Sequence, residues 1–173
     1  MRVHHVTTNV SPWGPTDHLS RLDTALQDSG SVPIPNLDLG SFELCEDGDH
    51  YTKGGLTLFA VALERVLSGM ECPLVVSDST IDWHNYNKDW KRTGWADSIL
   101  TLYNPRMIVD SVCGSGFVAL SSSNDHFYTR VSRHLRTNKN ITDVVLVGGW
   151  NDIGRTEEAC RCIRRLVSMV QRY

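Results

Sequence analysis

Long hydrophobic runs, an excess of basic residues and metal-binding cysteine spacings are all missing from this sequence. No stretch approaches the roughly 18 consecutive apolar residues of a membrane-spanning helix, so we expect no transmembrane segment. The net charge of −3 provides no electrostatic footprint for binding nucleic acid. The five cysteines match no zinc-site spacing, which favours reduced thiols in a cytosol-like compartment.

Export signals, repeats and linkers are missing as well. The first residues, Met1 to His5, lack the apolar core of a secretory signal. We therefore expect a protein that is cytoplasmic or is released without a classical signal peptide. The 173 residues contain no repeats or low-complexity tracts, and this length can bury a core without disulfides. A single domain, 1–173, is the simplest organisation.

Short apolar segments alternate with segments of helical periodicity along the chain. The predicted strands lie at about 2–10, 31–35, 73–77, 107–112 and 143–148. Between them apolar residues recur at helical spacing, as at Leu56, Phe59 and Leu63. This alternation predicts an α/β fold with a parallel sheet and helices on both of its faces. Two prolines, Pro33 and Pro35, place the 31–35 strand at an edge of the sheet.

The most informative stretch begins with the apolar, β-branched run from Asp143 to Val147. Such a run is typical of a strand buried on both faces. Gly148 and Gly149 then let the backbone turn, and Asn151 and Asp152 follow just past the strand. Ligands bind at the carboxyl ends of strands in open α/β sheets, and an amide there can donate to a developing oxyanion. The alternative is a turn in which both side chains only satisfy the backbone.

Four short polar stretches each follow the carboxyl end of a predicted strand. They are Asp47-Gly48-Asp49-His50, Ser77-Asp78-Ser79, Gly114-Ser115-Gly116 and Gly149-Trp150-Asn151-Asp152. Together they supply a hydroxyl, an imidazole, a carboxylate and hydrogen-bond donors, which are the groups of a serine hydrolase. Taken alone, Ser79 is more typical of an ordinary turn and His50 of an exposed loop.

These four stretches resemble the motifs of the SGNH hydrolase superfamily, the GDSL-type esterases and lipases. The resemblance implies that Ser79 is the nucleophile and that His50 and Asp47 complete a catalytic triad. It also implies an oxyanion hole formed by Ser79, Gly114 and the side chain of Asn151. One departure from the family pattern lies two residues before the nucleophile, where a serine replaces the usual glycine.

The order of the motifs differs from the family order, because the Asp-x-x-His stretch precedes the serine rather than ending the chain. The resemblance therefore implies a circularly permuted SGNH hydrolase. Residues 1–69 would be equivalent to the family's C-terminal part and residues 72–173 to its N-terminal part. The implied architecture is a single three-layer α/β/α flavodoxin-like domain with a five-stranded parallel sheet. Its implied spatial strand order is 107–112, 73–77, 143–148, 2–10 and 31–35.

The implied function is hydrolysis of a carboxylic ester through an acyl-enzyme, with no cofactor and no metal. The expected substrate is a small molecule or carbohydrate that carries a short acyl or acetyl ester. Trp150 and Trp13 follow strand ends and are interpreted as lining the substrate pocket, with core packing as the alternative. The alternative function is a non-catalytic glycan- or ligand-binding module that retains the hydrolase fold.

Two other groups of polar residues receive structural interpretations. Asp78 and Asp152 are predicted to hold loops by accepting hydrogen bonds from backbone N–H groups. The histidines outside the candidate site are interpreted as surface residues or as residues with satisfied hydrogen bonds: His4, His5, His18, His84, His126 and His134.

Overall fold

A computed structural model describes residues 1–7, 17–34, 52–79, 81, 95–121 and 123–173. The strands are β1 (Arg2–Thr7), β2 (Val32–Pro33), β3 (Pro73–Ser77), β4 (Ile108–Ser111) and β5 (Asp143–Gly148). The helices are α1 (Asp17–Asp28), α2 (Lys53–Leu67), α3 (Trp95–Tyr103), α4 (Phe127–Thr137) and α5 (Thr156–Gln171). A short 3₁₀ turn, Trp150–Asp152, connects β5 to α5.

The five strands form one parallel sheet in the order β2-β1-β5-β3-β4. This confirms the predicted α/β class and the predicted spatial order of the strands. The central strand β5 pairs on both sides, with Asp143 opposite Arg2 of β1 and opposite Pro73 of β3. The strands therefore start at one edge of the sheet, the amino edge, and end together at the carboxyl edge.

The middle residues of the central strands β3 and β5 are apolar because both faces of these strands are covered. Val144 and Leu146 pack in a cluster with residues of α1, α4 and α5 on one face of the sheet. Val145 and Val147 pack on the other face with residues of α2 and α3. Every residue of β5 is buried. Successive residues of β5 thus belong alternately to the hydrophobic cores on the two faces of the sheet. This gives the three-layer α/β/α arrangement.

The outer strands are shorter than the sequence predicts. β4 begins at Ile108 because the N–H of Met107 bonds the carbonyl of Asn104 in a turn (2.9 Å) rather than a neighbouring strand. β2 has only two residues, Val32 and Pro33, and lies at the edge of the sheet as its proline requires. Residues 8–10 and 35 of the predicted strands lie outside the described residues.

Both ends of the chain lie at the amino edge of the sheet. Met1 directly precedes β1, whose Arg2 is paired with Asp143 at the start of β5. The ammonium of Lys139, four residues before β5, lies 5.1 Å from the centre of the Tyr173 ring. In the part of the chain that the structure describes, no helix is long and apolar enough to cross a membrane.

Candidate active site

Three of the four candidate stretches meet at the carboxyl edge of the sheet. They follow β4, β3 and β5, which are adjacent strands. Ser79 is the second residue after β3 and is half-buried. The loop after β4 lies against the end of β3, because the N–H of Val112 donates to the carbonyl of Ser77 (3.0 Å). The topology therefore brings Ser79, Gly114 and Asn151 into neighbouring loops.

The amide of Asn151 connects these loops. Its Nδ2 donates to the carbonyl of Ser115 (3.0 Å) and to Oδ2 of Asp78 (3.3 Å). Both amide hydrogens are thus used within the protein, and the bond to Asp78 is the longer of the two. The carbonyl of Ser115 and the carboxylate of Asp78 can only accept hydrogen bonds. The nitrogen of the Asn151 amide, rather than its oxygen, must therefore face them.

The turn after β5 depends on its two glycines. Gly148 and Gly149 have φ angles of +146° and +127°, which residues with a side chain rarely adopt. A Cβ on Gly148 would lie 2.5 Å from Oδ2 of Asp78. The glycine therefore permits the carboxylate of Asp78 to approach the end of β5, where it also accepts from Asn151.

His18 holds the same turn from the other side and is buried, as its interpretation as a satisfied histidine requires. Its Nε2 lies 2.9 Å from the carbonyl of Gly149, and its Nδ1 lies 2.7 Å from Oγ1 of Thr156. Because a carbonyl only accepts, Nε2 carries the hydrogen, and the hydroxyl of Thr156 can donate to Nδ1. The imidazole thus joins the starts of α1 and α5 to the turn.

Asp152 supports the loop after β4. Its carboxylate is fully buried and accepts from the backbone N–H groups of Phe117 (2.7 Å), Val118 (3.0 Å) and Ala119 (2.8 Å). The prediction that Asp152 holds a loop is confirmed. Since three donors converge on one buried carboxylate, the segment is fixed relative to β5, a few residues from Gly114.

Gly114 has a left-handed backbone with φ of +72°, and no atom of the described residues lies within 4 Å of the place where a Cβ would be. Its N–H has no acceptor among the described residues, and neither has the N–H of Ser79. These two groups are the backbone donors that the resemblance assigns to the oxyanion hole.

A buried arginine that sequence reasoning missed lies beneath these loops. Arg130 of α4 is fully buried, and its Nη1 donates to the carbonyl of Ser77 (3.0 Å) and to Oγ of Ser115 (2.6 Å). Its Nη2 donates to the carboxylate of Asp110 (3.1 Å) and to the carbonyl of the same residue. One guanidinium therefore joins the ends of β3 and β4 to the loop that carries Gly114.

The carboxylate of Asp110 is the counter-charge of Arg130. Burial would raise the pKa of Asp110, but its hydrogen bonds with His134 (2.8 Å) and Arg130 outweigh burial and hold this pKa well below the usual range. Burial lowers the pKa of the Arg130 guanidinium, and the nearby carboxylate of Asp110 opposes that shift. The interpretation of His134 as a satisfied residue is confirmed.

The remaining candidate residues are less informative. Asp47, His50 and Trp13 lie outside the described residues. Trp150 is half-buried in the 3₁₀ turn after β5. Within the described part of the chain, no cluster of histidine, cysteine and acidic side chains is arranged to hold a metal ion.

The segment that carries Asp47 and His50 leads into α2. The side chain of Thr52 caps this helix by accepting from the N–H of Gly55 (3.1 Å). The end of α2 lies at the amino edge, since the carbonyl of Met70 accepts from Asn104, which precedes β4 (3.1 Å). The 15 residues of α2 extend about 22 Å from that edge, so the helix begins towards the carboxyl edge.

Comparisons with known proteins give no relative: no family model, no curated protein and no solved structure matches the chain. The function must therefore be inferred from the residues at the carboxyl edge.

Proposed function

We propose that the protein is a serine esterase of the SGNH hydrolase type with a circularly permuted chain. Its proposed substrate is a short acyl ester, such as an acetyl group on a carbohydrate. The observation that carries the proposal is the convergence of Ser79, Gly114 and Asn151 in the loops of three adjacent strands. Nucleophile and donors of an acyl-transfer site have to meet at one point in this way.

In the proposed mechanism His50 takes the proton of the Ser79 hydroxyl as its oxygen attacks the acyl carbon. His50 then gives the proton to the leaving alcohol, which leaves the acyl group on Ser79. In the second half His50 takes a proton from water as the water attacks the acyl carbon, and it returns this proton to the Ser79 oxygen as the acid departs. Asp47 orients the imidazole. In the sequence His50 precedes Thr52, the cap of α2, by two residues. The start of α2 towards the carboxyl edge supports this assignment.

The N–H groups of Ser79 and Gly114, together with the amide of Asn151, are the proposed oxyanion donors. The two N–H groups have no acceptor among the described residues, which supports their assignment. Asn151 differs, because both of its amide hydrogens are already donated. In the proposed reaction the longer bond to Asp78 is exchanged for a bond to the oxyanion.

The experiment is a turnover assay with p-nitrophenyl esters of increasing chain length and with acetylated sugars. We expect the protein to hydrolyse the short esters and Ser79→Ala to abolish turnover. Ser20→Ala, which alters an exposed serine on α1, is the matched control and should retain full activity. Full turnover by Ser79→Ala would refute the proposed nucleophile.

The use of both Asn151 hydrogens inside the protein favours a second candidate function. A non-catalytic glycan- or ligand-binding module needs Asn151 only to connect the loops after β3 and β4. This candidate predicts saturable binding of a glycan and no turnover of any ester, either by the unmodified protein or by Ser79→Ala.

A further inference from the structure

A groove separate from the candidate catalytic residues runs along α5. Its volume is about 580 Å³. The lining residues whose side chains can donate hydrogen bonds are His126, Arg155, Arg161 and Arg165. Val118 and Leu120, from the segment between β4 and α4, form an apolar wall. None of these residues belongs to the proposed catalytic site. The groove therefore requires its own explanation.

The groove carries a net positive charge, because its lining contains three arginines and a single carboxylate, that of Glu158. Arg155 is paired, because its Nε and Nη2 donate to Glu158 (3.0 and 2.8 Å) and its Nη1 donates to the carbonyl of Val118 (3.2 Å). Arg161 and Arg165 form no ion pair within the described part of the chain. They are one turn apart on α5, a spacing at which like charges destabilise a helix. Two guanidinium charges thus face the groove without compensation.

Two donors of the groove, Arg165 and His126, contact neighbouring residues before any ligand binds. The guanidinium of Arg165 lies over the ring of Tyr128, 5.7 Å from its centre. The same ring makes an edge contact with His126, at 6.3 Å between centres. Nδ1 of His126 accepts from the N–H of Thr129 (3.2 Å), so the hydrogen of the neutral ring is on Nε2. His126 therefore offers a donor rather than an acceptor at that atom.

Part of the apolar wall is accessible, because Leu120 is 53% exposed whereas Val118 is buried. Cys162 also lines the groove, and burial raises the pKa of its thiol to about 11, with nearby Asp152 acting in the same direction. The thiol thus remains protonated at neutral pH and acts as part of the wall rather than as a nucleophile.

We propose that this groove binds a small organic phosphate monoester. Guanidinium groups match phosphate oxygens in pairs, and the double charge of the phosphate matches the two uncompensated arginines. Leu120 and Val118 would contact the apolar part of the ligand. The site is independent of the proposed esterase function and stands whether or not Ser79 is a nucleophile.

The test is calorimetric titration of the full chain with phenyl phosphate, inorganic phosphate and phenol. Phenyl phosphate should bind saturably, inorganic phosphate more weakly, and phenol not at all. Arg161→Gln and Arg165→Gln should each weaken phenyl phosphate binding by about 10-fold or more, the usual effect of losing a charged hydrogen bond. Circular dichroism of each variant verifies that it remains folded.

The matched control is Arg164→Gln, which removes the same charge from the same helix. Arg164 instead lines a different groove, beside Arg21 and Cys160. Its substitution should leave the affinity for phenyl phosphate unchanged. An equal loss in Arg164→Gln, or no saturable binding to the unmodified protein, would overturn the proposal. Binding of inorganic phosphate as tight as that of phenyl phosphate would refute the apolar part of the site.

Discussion

Replacing Arg130 with methionine tests whether the buried guanidinium holds the candidate site together. The substitution retains an apolar side chain under the Phe127 ring but removes every donor. It leaves the carbonyl of Ser77, the hydroxyl of Ser115 and the carboxylate of Asp110 without their buried partner. Breaking one side of a buried charge pair destabilises a protein by about 3–5 kcal/mol. Since domains are stable by only about 5–15 kcal/mol, this is a large fraction of the total.

The assay is urea denaturation at neutral pH, which yields the free energy of unfolding for each variant. Ser115→Ala removes one acceptor of Arg130 and the bond from Oγ of Ser115 to the carbonyl of Val112, and should lower this free energy by about 1–3 kcal/mol. Arg136→Met is the matched control, because Arg136 is exposed on the same helix and among the described residues bonds only to Ser132. It should change the free energy of unfolding by no more than about 0.5 kcal/mol. The reasoning is refuted if Arg130→Met is no more destabilising than Arg136→Met.

Three further predictions follow from the same region and from the topology. Because the pKa of Asp110 is lowered by folding, its charge stabilises the protein above the unfolded pKa of about 3.9, and this contribution is lost as the pH falls below that value. The destabilisation by Asp110→Asn should therefore be larger at pH 7 than at pH 3 in urea titrations, and an equal destabilisation at both pH values would contradict this reasoning. Asn151→Ala should lower kcat for an ester by about 10²–10³, the usual effect of one oxyanion donor, and an unchanged kcat would assign Asn151 to loop support alone. A chain with its two termini joined by a short glycine-rich linker and opened at Gly69 should fold and remain active, since both termini lie at the amino edge and a Cβ at Gly69 would contact nothing; failure to fold would contradict the permutation.

The sequence predicts the class of fold well because the strands and helices follow from local patterns of apolar residues. The buried run of β5, the prolines beside β2 and the alternation of strands with helices are sufficient for the class of fold and the location of the edge strand. Asp152 could also be interpreted correctly, since an aspartate after a glycine turn commonly accepts from backbone N–H groups. The strand order came from the resemblance to a family rather than from any local pattern.

Arg130 could not be predicted with its partners, because these come from two distant segments of the chain, the end of β3 and the region of β4 with the loop after it. Its position three residues after Phe127 is on the apolar face of α4, and an arginine there is the one signal that the sequence contains. Only the packed structure reveals that Asp110 and Ser77 face the same point. The engagement of both Asn151 hydrogens is equally non-local, since the acceptors follow β3 and β4.

The most direct test of the central claim is covalent labelling of the protein by an alkyl fluorophosphonate, followed by mass spectrometry of its peptides. A serine esterase with an activated nucleophile reacts with one equivalent of this reagent. We predict a single modification on Ser79, accompanied by loss of ester turnover and prevented by His50→Ala. Absence of labelling, or labelling of a different serine that accompanies the loss of activity, would contradict the proposed esterase site.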